Sequence, residues 1–123
     1  MSGYFYKDGT PIKGSFEDAV LEWGNLMKDR SYSDIGKTII GDVKISTVWL
    51  GLNHNWDGGD PLIFETMIFG GEHDEYQERY STEQQAKLGH QYAVDLVKDR
   101  KPKRELKRES SLRRESKGNE YDK

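Results

Sequence analysis

The sequence predicts an α+β domain: an antiparallel meander sheet of about four strands with two helices packed on it, followed by a charged tail. Three observations carry that prediction. Segments 43–52 and 61–69 are dense in β-branched and aromatic residues and are bounded by polar, glycine-bearing turns. Segments 15–28 and 82–97 repeat apolar residues at spacings of three and four, each behind a Ser or Thr able to cap a helix. Beyond Val97 the composition changes altogether.

The elements follow in order. Tyr4-Phe5-Tyr6, Lys7-Asp8-Gly9-Thr10 and Pro11-Ile12 read as a short strand, a tight Asp-Gly turn and a short return. Ser15 begins a helix, because its hydroxyl can accept from the free N–H groups of the first turn, with Asp18 placed as in a capping box. Phe16, Ala19, Val20, Trp23 and Met27 share one face of that helix, which ends near Lys28-Asp29-Arg30.

Thr38-Ile39-Ile40, Gly41-Asp42 and Val43 to Leu52 read as a hairpin, and glycine at the first central position fits a type II′ turn. Val43, Ile45, Thr47 and Trp49 fall on one face, Val48, Leu50 and Leu52 on the other. Apolar residues on both faces predict a central strand. Gly51 marks a place of close approach by backbone or ligand. Asn53 to Asp60 is a loop, Pro61 to Phe69 a strand stopped by Gly70-Gly71, Glu72 to Glu78 an acidic loop, and Arg79-Tyr80 a brief last strand. Ser81 and Thr82 start the second helix, with Gln84 and Gln85 as capping-box partners. Its inner side holds Ala86, Gly89, His90, Ala93 and Val97, widened by Leu88, Tyr92 and Leu96.

Of 123 residues, 33% are hydrophobic and 33% charged, so the core is small. No apolar run approaches the roughly 18–20 residues of a membrane span, and MSGYFYKDGT does not read as a secretory signal. The absence of cysteine excludes disulfides, thiolate zinc sites and cysteine nucleophiles. A cytoplasmic setting is the expectation.

The net charge of −3 hides a split: residues 98–123 hold 11 of the 19 Lys/Arg against 6 of the 22 Asp/Glu, leaving 8 bases against 16 acids in residues 1–97. The terminal segment has only Leu106 and Leu112 beside Tyr121 as large apolar residues. It cannot offset an ordering cost of about 1–2 kcal/mol per residue. We therefore divide the chain into a globular domain, 1–97, and a tail, 98–123, that is disordered or partly helical. Lys103, Arg104, Lys107, Arg108, Arg113 and Arg114 are its candidate phosphate contacts.

The densest polar cluster is Asn53-His54-Asn55-Trp56-Asp57-Gly58-Gly59-Asp60. It matches the first half of an EF-hand loop, then fails: Phe64 stands where the bidentate glutamate belongs, and Pro61 interrupts. A polar hairpin loop is the simpler account. His54, Trp56, Asp57 and Asp60, with His73 and Tyr76 from the acidic loop, form the candidate binding set, on the expectation that a pocket lies between the two loops. No HExxH, P-loop, nucleotide fingerprint or nucleophile elbow is present, so no catalytic residue, metal or cofactor is assigned. His90 is expected as a hydrogen-bonded core histidine. Glu65, between apolar neighbours, is expected on a solvated or hydrogen-bonded face.

The phrases STVWLGL (46–52), PLIFETMIFGG (61–71) and RYST (79–82) before a helix, with YKDGTPI (6–12) ahead of the first helix, resemble a family of small uncharacterised proteins of tailed bacteriophages and prophages. The likeness covers roughly residues 4–97, and the loop between Asn53 and Pro61 departs from it. The resemblance implies a phage origin and the cytoplasm of an infected host. It implies no activity and carries over no site residue.

The function expected is thus that of a non-enzymatic phage accessory protein that binds a host or phage protein, for instance to counter host defence. An acidic body with aromatic residues to spare fits such a role. The competing classes are a small-ligand binder sequestering a nucleotide signal, a nucleic-acid binder acting through the tail, and a small hydrolase built on His54 and the loop acids. Nothing in the sequence fixes the oligomeric state.

Overall fold

A computed structural model describes residues 3–55 and 57–98 of the protein. After two N-terminal bridges, Tyr4 with Leu52 and Phe5 with Pro11, come α1 (Phe16–Lys28), α2 (Arg30–Ser33), β1 (Asp34–Ile40), β2 (Val43–Trp49), β3 (Phe64–Phe69), β4 (Gln77–Tyr80) and α3 (Glu83–Val97). The four strands pair antiparallel in chain order, so the architecture is the predicted α+β meander. α3 contacts all four strands. No helix among the described residues is long and apolar enough to cross a membrane.

Both predicted N-cap residues cap their helices, and the reciprocal capping box is formed at Thr82. The Ser15 Oγ accepts from the Asp18 N–H at 3.1 Å, and Thr82 with Gln85 forms a reciprocal capping box. The short helix α2 is an addition to the sequence reading. Asp29 ends α1 and at once caps α2, accepting from the Ser31 N–H at 3.1 Å. This tight turn delivers the chain to β1 at Asp34, four residues before the predicted start, through a bulge between Asp34 and Gly36.

β2 stops at Trp49, short of the predicted Leu52, because the chain turns at Gly51 (φ +74°). The Gly51 carbonyl then accepts from the Phe5 N–H at 2.7 Å, which ties the N-terminal hairpin to the sheet. A Cβ at Gly51 would lie 2.5 Å from Trp49 Cζ2 and 2.6 Å from Trp23 Cδ1, so only glycine fits between the two indoles. Both indoles are anchored nearby: Trp23 Nε1 donates to the Leu50 carbonyl at 2.8 Å, Trp49 Nε1 to the Phe5 carbonyl at 3.0 Å.

The core lies on one face of the sheet. Phe5, Trp49, Ile63, Phe64 and Ala86 form one cluster, and Ile45, Ile68, Ala93 and Val94 a second. Burying each of the Phe, Ile and Val side chains among them contributes about 1.5–3 kcal/mol. Small residues of α3 (Ala86, Gly89, Ala93) let the helix lie close. Two side chains leave their predicted faces. Leu88 is exposed because two residues along a helix turn it about 200° away from Ala86. Phe16 is exposed at the first turn of α1, its ring centroid 6.3 Å from that of Tyr4.

A partly buried polar chain crosses this covered face. The Thr38 hydroxyl meets His90 Nε2 at 2.8 Å, His90 Nδ1 meets Thr47 at 2.8 Å, and Thr47 meets Thr66 at 2.5 Å. A Cβ at Gly36 would stand 3.1 Å from the His90 ring, so the imidazole lies directly over β1. His90 is the hydrogen-bonded histidine that the sequence predicts.

Candidate functional site

Cross-strand register places the other face in three rows. Asp34, Val48, Glu65 and Arg79 make one; Lys37, Ser46, Met67 and Gln77 the next; Ile39, Lys44 and Phe69 the third. Side chains directly opposite in an antiparallel pair share a face. None of the apolar members Ile39, Val48, Met67 and Phe69 belongs to either core cluster. Ile39 is 61% exposed and Phe69 43%. This open face is the candidate functional surface.

Its polar anchor is Glu65, which is only 8% exposed. Register puts Arg79 directly across from it. Glu65 Oε2 accepts from Arg79 Nε at 3.1 Å and from Gln77 Nε2 at 2.7 Å. A carboxylate can be buried among apolar neighbours only when so partnered. The Arg79 side chain stays 32% exposed. Glu65 is therefore on the hydrogen-bonded face that the sequence allowed. The sequence predicts only Arg79-Tyr80 for β4, too short to place Gln77 in the sheet, whereas β4 spans Gln77–Tyr80. Only a four-residue strand in this register brings both across from β3.

His54 comes over the same end of the face. Its backbone N–H donates to the Leu62 carbonyl at 3.0 Å. Partial burial, then the positive charge of Arg79, holds its imidazole below the usual range, with Glu65 opposing.

The remaining predicted site residues are distributed differently from the expectation. Asn53 Oδ1 accepts from the N–H groups of Asn55 (2.8 Å) and Leu62 (3.1 Å), and Asn55 Oδ1 from that of Asp57 (3.0 Å). Asn55 Nδ2 donates to the Asp60 carbonyl at 2.8 Å. The loop is a nest of side-chain turns, with Asp57 and Asp60 exposed on it. His73 sits in the 70–76 turn, where its carbonyl accepts from the Tyr76 N–H at 3.0 Å. Tyr76 packs against the second core cluster, and burial pushes its phenol well above the usual range.

The pocket expected between the 53–60 and 72–78 loops does not form. Consecutive loops of a meander leave opposite ends of their shared strand, and six residues of β3 separate them by roughly 20 Å. Among the described residues no group of three or more His, Asp or Glu could hold a metal ion. Trp56 and the tail contacts Lys103, Arg104, Lys107, Arg108, Arg113 and Arg114 lie outside the described residues.

Fold and site together define an α+β sheet protein with one face covered by a helix and one left open. No protein-family model, curated protein or solved structure matches the chain.

Proposed function

We propose that the protein is a non-enzymatic phage accessory protein that acts by binding a host or phage protein in the cytoplasm of the infected cell, as in countering a host defence. One observation carries the protein-binding part: an apolar patch of Ile39, Val48, Met67 and Phe69 on a sheet face outside both core clusters. Apolar side chains left outside the core on one sheet face, with Ile39 and Phe69 exposed, are candidates for contact with a partner. The phage setting rests on the sequence phrases quoted above.

The test is a double variant, Ile39→Lys with Phe69→Lys, in the tagged full chain expressed during infection. Wild type recovers a stoichiometric partner that cross-links to the open face, and the variant loses it while keeping the wild-type melting temperature. Recovery of the same partner by the variant, or of no stoichiometric partner by wild type, overturns the reading.

A further inference from the structure

Register puts Lys37 opposite Ser46 and Lys44 opposite Ile39, so the two lysines are diagonal neighbours on the open face. Diagonal positions of this kind lie about 7–8 Å apart. Both side chains are exposed, and neither forms an ion pair among the described residues. The acids of that face are engaged elsewhere, Glu65 with Arg79 and Asp34 with Arg30. Lys44 instead stands over its cross-strand partner Phe69, with Nζ 5.3 Å from the ring centroid. Two adjacent like charges add nothing to the stability of a sheet. An anion seated between them would relieve the repulsion.

The wider charge pattern points the same way. The open face carries 3 of the 8 bases of residues 1–97 (Lys37, Lys44 and Arg79) but only 2 of the 16 acids, leaving 5 bases against 14 acids elsewhere. Counted over its strand residues, the face is thus net positive on an otherwise acidic body, with Asp42 and Asp74 in the turns at its Phe69 end. Such an arrangement selects a partner of opposite sign and speeds its approach.

We infer that the open face receives an acidic segment of a partner protein, with one carboxylate seated between Lys37 and Lys44 and an apolar side chain against Phe69 and Ile39. The inference rests on the protein-binding reading above and adds the chemistry of the partner. A nucleic acid fits less well. Its phosphates would run past the acidic remainder of the body, and the face offers one exposed aromatic ring, already covered by Lys44, where strand binding uses several.

The experiment is amide-shift mapping of the full chain with four probes: a short alternating Glu-Leu peptide, its Gln-Leu and Lys-Leu counterparts, and an oligothymidylate. We expect the Glu-Leu peptide to shift Lys37, Lys44 and Phe69. Its affinity should fall by about tenfold or more in the charge-reversed variant Lys37→Glu/Lys44→Glu. The neutral variant Lys44→Gln should show a smaller loss, which keeps the test valid if the double variant folds poorly. Equal binding of Gln-Leu, or preference for Lys-Leu, overturns the inference and leaves the protein-binding reading standing. Oligothymidylate binding at these amides in preference to Glu-Leu overturns it in favour of nucleic acid. If no peptide moves these amides at millimolar concentration, the inference fails, and the Ile39→Lys/Phe69→Lys experiment alone decides the reading beneath it.

Discussion

Glu65 and Arg79 stand directly opposite each other on β3 and β4, and the Arg79 Nε donates to the Glu65 carboxylate over 3.1 Å. The pair explains how a charge sits in the middle of an apolar strand. β3 contributes the buried carboxylate, and the short edge strand β4 contributes both Arg79 and Gln77 to hold it.

Removing one partner leaves the other stranded. Arg79→Ala is expected to cost about 2–3 kcal/mol, below the full figure for a buried pair because Arg79 is partly solvated. Glu65→Gln, which retains an acceptor, should cost about 1 kcal/mol. Urea unfolding of both variants checks the order, and an Arg79→Ala protein as stable as wild type would contradict the anchoring role.

Gly89 faces Tyr80 so closely that a Cβ at position 89 would overlap the phenol ring and its hydroxyl. Gly→Ala inside a helix is ordinarily worth about 1 kcal/mol of stability. Here the sign should reverse, with Gly89→Ala destabilising by roughly 2 kcal/mol or more through overpacking. In a Tyr80→Leu background the penalty should shrink or turn into the ordinary gain. A double-mutant cycle by thermal melts measures that coupling. The Tyr80 hydroxyl lies near Thr66 without hydrogen-bond geometry to any described residue, and burial pushes its pKa far up.

Burial holds the His90 imidazole below its usual range. Partial burial, helped by Arg79, does the same to His54. The unfolded chain therefore takes up protons at a higher pH than the folded one. Stability is full above about pH 6.5, the unfolded value, and is lost as pH falls from there toward the lower folded values. The urea midpoint should drop between about pH 7.5 and about pH 5.5, and His90→Gln should reduce that drop. A variant with an unchanged pH slope would show that His90 titrates normally.

Gly51→Ala meets two penalties at once, a left-handed backbone (φ +74°) and contact with both Trp23 and Trp49. The backbone alone costs about 1–2 kcal/mol. With the indoles displaced, a loss of roughly 3 kcal/mol or more is expected. Tryptophan fluorescence during urea unfolding reports both the lost stability and the changed indole environment.

Much of the fold was legible because it is written in local chemistry. Ser15 and Thr82 cap their helices, Gly41 turns the β1–β2 hairpin, and the set Val43, Ile45, Thr47 and Trp49 faces the helix. Strand ends were less legible, since Gly51 ends β2 for a reason that involves Trp23, 28 residues earlier in the chain. The candidate site was read only in part. Glu65 stood out as a charge in an apolar run, while the partners that make it tolerable depend on a register that no local pattern in QERY announces.

By itself, the sequence determined the α+β class, the helix caps, the apolar face of the central strand and the segregation of positive charge beyond Val97, because propensity, periodicity and composition are properties of neighbouring residues. Tertiary structure alone decided that the two polar loops lie at opposite ends of the sheet and that Glu65 meets Arg79. It also decided that Lys37 and Lys44 share an open face with Ile39 and Phe69. Those are relations between strands, set by pairing register and by which face the small residues of α3 could approach.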